Sequence, residues 1–473
     1  MSEIPIADKI EAAVRARDVA EARKGIRLFL KKEGARPAGR AQVAEWYRRL
    51  GLYREAYLAV APKDWKLPRQ GGDPELTETF VWTAYTLDLQ GAGPYAMALL
   101  ARLAPETLSA LSIAGTIEMS NSAFASAVKH FQAYFERFTG AEGYPQKMLR
   151  LSLADSLVGL GRFDEAFAEL AKVRAEPGER FLSGILYQVA GEYHARRGDH
   201  ARALEEMERA VGFFPPGEGT VDSAFLDKWR GVALAGLGRT DEARAAFARA
   251  HAVLDKPDHR PEMLLDVYAC MDRAGLLDDE TGAIIAAYPG LSADFLATKP
   301  GLRAPSPWIG NPGAPILLYP TRDEWVEGGK RRLGIPLEVE LLGYVRAADR
   351  IGISIERLKP LLWPDEVSAF LQLDARIAKL LQRLRTEYGV ALKIESGRIR
   401  ADETVRKEVA VETGRTPRPW TFAENHEEFE AGAFAEHYGL GRTIAFKRLT
   451  DAVESGRLAK RADGRRVLYR KPE

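Results

Sequence analysis

"GILYQVAGEYHARRGDHARALEEMERAVGFFP", residues 184–215, has helical apolar spacing on both sides of Gly198 and ends at Pro215. Ala203 follows Gly198 by five residues, and the same interval recurs elsewhere. It separates Gly51 from Ala56 in "LGLYREAYLAV" (50–60), Gly161 from Ala166 in "LGRFDEAFAEL" (160–170), and Gly238 from Ala243 in "LGRTDEARAAF" (237–247). "NSAFASAVKHF" (121–131) is a looser copy. Gly161, Gly198 and Gly238 are 37 and 40 residues apart, and Ala22 lies 34 before Ala56, which places a degenerate first copy near residue 22. One such unit buries too little apolar surface to fold alone, so neighbours must stack.

These units resemble the tetratricopeptide repeat (TPR), with Gly191, Tyr193, Gly198, Ala203, Ala210 and Pro215 at or near the motif's places. In that repeat one helix ends at a Gly-containing turn, and the next carries a small residue where the two cross closely. The resemblance implies a curved array over residues 1–300 whose concave face binds a peptide or protein. Residues 64–145 fit the period poorly, so the expectation there is irregular helical structure. "GAGPYA" (91–96) imitates a dinucleotide-binding glycine loop, but it follows a helical segment and contains Pro94. It is read as structural.

Composition narrows the classes. Cys270 is the single cysteine, so no internal disulfide or paired-thiolate zinc site is available and a reducing, cytoplasmic setting is expected. The amino-terminal residues mix acids and bases and read as neither signal peptide nor membrane span. The seven histidines form no HExxH, and "EGGKRR" (327–332) lacks the leading glycine of a phosphate loop. No catalytic, metal or cofactor site is expected, and the chain is read as a non-enzyme. The net charge of +1 conceals an asymmetry: residues 371–400 hold seven Lys/Arg against three Asp/Glu, and residues 434–473 hold ten against five. Concentrated positive charge is the footprint of a surface that meets phosphates.

A proline-rich linker (301–313) ends the helical pattern. After it, "ISIERLKPLLW" (353–363) reads as a helix begun by Ser354. Leu373, Ile377, Leu380, Leu381, Leu384 and Tyr388 then form a helical stripe, leaving Arg376, Lys379, Gln382, Arg383 and Thr386 on the other face. "ALKIESGRIRAD" (391–402) reads as a hairpin about Ser396-Gly397, with Lys393, Arg398 and Arg400 as its cations. Residues 314–402 resemble the winged-helix DNA-binding domain of the OmpR/PhoB family, shared with the antibiotic regulatory proteins of actinomycetes. "ISIERLKPLLW" matches the helix ending in Leu-Trp, and "LLQRLRTEYG" (380–389) matches the basic recognition helix. "SGRIRAD" lacks that family's aromatic Gly-Tyr wing signature, and no phosphoacceptor receiver domain precedes it, so aspartyl phosphorylation within the chain is not expected.

After a second linker (403–428), residues 429–473 resemble a generic bacterial winged helix-turn-helix. A short helix opens at Phe434, "YGLGR" turns, and "TIAFKRLTDAVESG" (443–456) is the second helix. Ile444, Leu449 and Val453 are expected inside, and Arg442, Thr443, Lys447 and Arg448 outside. "RLAKRADGRRVLYR" (457–470) forms the wing about Asp463-Gly464, with Leu458, Val467 and Tyr469 buried and Arg461, Arg465 and Arg466 at the tip.

The expected fold class is mainly α: a helical-repeat solenoid followed by two small α+β winged-helix domains. The expected function is that of a bacterial, cytoplasmic, nucleoid-associated transcriptional regulator. Both winged helices would bind duplex DNA, and the array would bind a peptide or protein; no membrane partner is implied. The alternative is a non-enzymatic scaffold that uses both domain types to dock proteins. The DNA sequence, the sign of regulation and the oligomeric state are not encoded in any pattern identified.

Overall fold

The computed structural model describes residues 5–32, 36–68, 72–176, 178–214, 220–256, 259–289, 308–319, 324–364, 366–412, 428–437, 442–454, 458–463 and 466–470. The chain is mainly α, with small sheets toward its carboxy terminus. It divides into two compact units, one built mainly from residues up to 218 and one mainly from 219 onward.

Among the described residues, the first unit contains six helical hairpins. They are α1 (Ile6–Arg15) with α2 (Val19–Lys32), α3 (Pro37–Arg49) with α4 (Tyr53–Val60), α5 (Pro74–Leu89) with α6 (Gly93–Leu100), α7 (Leu108–Ser120) with α8 (Phe124–Arg137), α9 (Tyr144–Gly159) with α10 (Phe163–Lys172), and α11 (Arg180–Arg196) with α12 (His200–Val211). The first helices of successive hairpins pack together from α1 through α3, α5, α7 and α9 to α11. The second unit begins with two more hairpins, α13 (Val221–Gly236) with α14 (Thr240–Leu254) and α15 (Glu262–Arg273) with α16 (Asp279–Ala286).

One device builds every hairpin. The second residue after each first helix is left-handed: Arg17, Gly51, Gly91, Ser122, Gly161, Gly198, Gly238 and Gly275 have φ between 54° and 93°. This conformation turns the last amides back onto the helix. At Gly198, for example, its own N–H donates to the Ala195 carbonyl (3.1 Å) and the Asp199 N–H to the His194 carbonyl (3.0 Å). That paired arrangement satisfies carbonyls that a helix end otherwise leaves orphaned. Five residues on from the first seven turn positions stand Ala22, Ala56, Ala96, Ala127, Ala166, Ala203 and Ala243, each with no exposed surface. A further contact pairs small with large across the hairpin. A side chain at Gly115 would strike the Phe131 ring (2.6 Å), one at Gly191 would strike Met207, and one at Gly231 would strike Phe247 (2.7 Å), always sixteen residues on.

Residues 72–137 therefore depart from expectation. They form two hairpins of the same kind, in which "GAGPYA" supplies the left-handed Gly91 and the buried Ala96, and Ser122 takes the place of glycine.

Beyond the hairpins, the second unit carries three sheets. Strands β1 (Trp308–Ile309), β2 (Ile316–Tyr319), β3 (Glu324–Glu327), β4 (Lys330–Leu333) and β8 (Val409–Glu412) form one sheet in the order β1-β8-β2-β3-β4. Strand β8 runs parallel to β2 and antiparallel to β1. Between β4 and β8 lie α17 (Leu337–Ala348), α18 (Ile355–Leu362), α19 (Leu373–Glu387) and α20 (Glu403–Glu408). A second sheet joins β5 (Ile353–Ser354), β7 (Arg398–Ile399) and β6 (Ile394–Glu395). Both expected linkers thus contain structure: β1 lies within 301–313, and α20 and β8 lie within 403–428. Strand β8 is apolar enough to sit between two neighbours, with Val409, Ala410 and Val411 all buried. Arg346 on α17 fastens it, donating from Nε to the Val409 carbonyl (3.0 Å).

The last module consists of β9 (Glu428–Glu430), α21 (Ala431–His437), α22 (Arg442–Glu454), β10 (Ala459–Asp463) and β11 (Arg466–Arg470), with strand order β10-β11-β9. Phe429, Phe434, Ala445, Leu449, Leu458 and Tyr469 form its core. Val467 was expected inside but is 44% exposed. Strand β9 covers β11 only from Leu468 onward, and Val467 lies beyond it.

Candidate nucleic-acid interface

Helix α19 is placed by the layer beneath it. Ser354 caps α18, its hydroxyl accepting from the Arg357 N–H (3.2 Å). Phe370, Leu373, Ile377, Leu380 and Leu384 are buried against this layer. Lys359 of α18, 1% exposed, extends its ammonium to Asp374 in the first turn of α19 (2.7 Å), with Glu356 at 3.8 Å and the Phe370 ring 4.1 Å away. Burial pushes the Glu356 carboxyl above its ordinary range, and Lys359 opposes the shift.

This arrangement turns Arg376, Lys379, Gln382, Arg383 and Thr386 outward on one face of α19. Their partners are loose. Arg376 bonds Glu366 (2.6 Å) with both side chains partly in water, and Arg383 has Glu338 at 3.7 Å while remaining 59% exposed. Thr386 donates back to the Gln382 carbonyl (3.1 Å), so its hydroxyl is engaged by its own helix. Lys393, in the approach to β6, is also exposed.

The hairpin β6–β7 turns through Ser396 (φ 50°) and Gly397 (φ 78°), as anticipated for a two-residue connection. Its arginines depart from the expectation of outward cations. Arg398 is 5% exposed, donating to Asp255 Oδ1 (2.9 Å) and to the His259 carbonyl (2.9 Å). Arg400 pairs with the same Asp255. Asp255 lies immediately after α14, so the β6–β7 hairpin is docked on the helical hairpins of its own unit. Two neighbouring contacts tie the α17–β5 turn beside this hairpin to the α16 region: the buried Tyr288 hydroxyl donates to the Gly352 carbonyl (2.8 Å), and Arg350 donates to Thr281 and Asp278. Sequence reading missed Asp255, Asp278 and Tyr288 because no local pattern marks them. A pocket of about 260 Å³ opens beside the β6–β7 hairpin, lined by Asp255, Lys393, Glu395, Arg398, Arg400 and Asp402 among others.

In the last module, Arg442 and Thr443 are exposed on α22. Leu449 is buried and Val453 packs on the core. Lys447 and Arg448 belong to α22, but their side chains, like that of Ile444, lie outside the described residues, as does Arg465 entirely. Arg461 forms a two-point pair with Glu428 (2.7 and 3.2 Å), and Arg466 lies 3.3 Å from Glu430.

No family model matches the sequence, and no curated protein is similar to it. Among the described residues, no helix is long and apolar enough to cross a membrane.

Proposed function

We propose that this protein is a DNA-binding transcriptional regulator: two winged-helix modules at its carboxy-terminal end bind duplex DNA, and a TPR-type array binds a peptide or protein partner. The observation that carries this reading is the outward face of α19, where Arg376, Lys379, Gln382 and Arg383 stand over a buried Leu/Ile stripe, within a helix–helix–hairpin order. Arginine can bridge guanine O6 and N7, glutamine can pair with adenine, and lysine can neutralise phosphate. The exposed Arg442 and Thr443 on α22 support the same role for the second module.

Retardation of a generic duplex by the full chain tests the proposal. Binding should be strong at low salt and fall steeply between roughly 50 and 200 mM, because each neutralised phosphate releases counterion. Absence of retardation at low salt would overturn it in favour of a protein-docking scaffold. Selection from a random oligonucleotide pool then separates a sequence-reading regulator, which recovers a shared motif, from a nonspecific DNA-associated protein.

A further inference from the structure

We propose that Asp255 is an autoinhibitory latch that holds the β6–β7 wing against the repeat hairpins and withdraws Arg398 and Arg400 from DNA. The inference rests on the DNA-binding reading above and specifies how that binding is restrained.

Two guanidiniums converge on one carboxylate. Arg398 reaches Asp255 Oδ1 and the His259 carbonyl at 2.9 Å each, the Lys256 carbonyl lies at 3.4 Å, and Arg400 meets Asp255 from the adjacent side. Gly352, just before β5, leaves room for the stems of both arginines. Its φ is +78°, and a side chain there would come within 2.7 Å of Arg400 Cγ and 3.1 Å of Arg398 Cδ. Both arginines belong to the hairpin that would carry the wing's positive charge, and closure leaves Lys393 as that region's outward cation.

The contact is nonetheless incomplete. The Nε atoms of Arg398 and Arg400 are buried without an acceptor among the described residues, an arrangement that disfavours the closed state. Asp255 and Arg400 are 34% and 39% exposed, so water reaches the pair. Each wing strand is only two residues long, so little pairing opposes its release. The adjoining pocket is not itself an anion site, since Asp255, Glu395 and Asp402 offset Lys393, Arg398 and Arg400. DNA phosphates would instead take the place of Asp255 on the released arginines.

The test is the salt dependence of generic duplex binding by the full chain. In D255N the wing opens, and two further phosphate contacts at about 0.9 each should steepen the slope by about 1.8. Adding R398Q and R400Q to D255N should remove that gain. Arg350→Gln removes the neighbouring tie of the α17–β5 turn to Asp278 and Thr281, which also holds the hairpin in place because β5 pairs with β7, and, although it removes a cation, it should also steepen the slope. The latch is overturned if wild type binds DNA and either D255N, folded by circular dichroism, or R350Q keeps the wild-type slope. If D255N does not fold, R350Q decides alone. Should wild type, D255N and R350Q all fail to retard DNA at low salt, the DNA reading falls as well, a result distinct from binding with an unaltered slope.

Discussion

The buried Lys359 ammonium makes an asymmetric prediction about what holds the basic face of α19. Lys359 is 2% exposed at its side chain, whereas Asp374 is 42% exposed. Asp374→Ala takes away the nearer of the two carboxylates within 4 Å of Lys359 among the described residues, leaving Glu356 at 3.8 Å. Breaking a buried pair costs about 3–5 kcal/mol, and the remaining carboxylate with the Phe370 ring should offset part of that, giving about 2–4 kcal/mol. Lys359→Met acts differently. Methionine fills a similar volume, Asp374 left behind is already hydrated, and Glu356, whose carboxyl burial already raises, can take up a proton, so the cost should be about 0–1.5 kcal/mol. The double variant should resemble Lys359→Met alone, because the buried charge has gone in both. A chain of two units does not guarantee a single unfolding transition, so the assay is hydrogen exchange of amides in residues 373–387, which reports local opening free energy. If Lys359→Met loosens α19 as much as Asp374→Ala, the reasoning from burial is wrong.

On the outward face, Lys379→Gln with Arg383→Gln should reduce the salt slope of DNA binding by about 1.8, read from binding isotherms at several ionic strengths. Gly198→Ala places a methyl group in open space but demands φ near 81° of alanine, so a cost of about 1–2 kcal/mol should appear in exchange rates across α11 and α12. His251 bonds the Tyr268 hydroxyl (2.9 Å), and burial lowers its pKa, with Asp255 opposing and Arg400, Arg350 and Arg398 assisting. Its folded pKa lies below the unfolded value of about 6.5, so the unfolded chain binds the additional proton and stability falls as pH drops below that value. Replacing His251 with glutamine should flatten that loss in melts recorded at about pH 7.5 and 5.5.

The hairpins were legible where glycine announced the turn. What each turn requires is a left-handed residue followed by a small one, and glycine is only the least costly way to supply the first. Ser122 and Arg17 adopt the same conformation because the hairpin's hydrogen bonds and packing hold them there, so without its glycine the stretch 121–131 reads only as a looser copy. Gly91 and Ala96 have the spacing but were obscured by resemblance to a phosphate loop. In the last hairpin, Gly275 is followed five residues later by the exposed Glu280, since α16 begins four residues after the turn where α12 begins two. Strand β8 was hidden for another reason. "VAVE" is four residues long amid charged neighbours, and its partners at Ile316–Leu318 and Trp308–Ile309 are more than ninety residues away. The face of α19 was legible because helical period alone separates its two sides.

Charge density along the chain did not distinguish the cations of α19 from those of the wing, because the difference between them is burial. Arg376 keeps its partner Glu366 partly in water, a pair worth about 0–1 kcal/mol that a phosphate could displace at little cost, and Arg383 is itself 59% exposed, 3.7 Å from the buried Glu338. Arg398 would have to leave a carboxylate and a carbonyl in a site where it is 5% exposed, and Asp255 lies 143 residues earlier in the chain. A basic stretch therefore reports how many cations are present, while their availability is decided by long-range carboxylates that no local pattern reveals. In this protein that distinction divides one module into a helix whose cations face water and a hairpin whose arginines are held by Asp255.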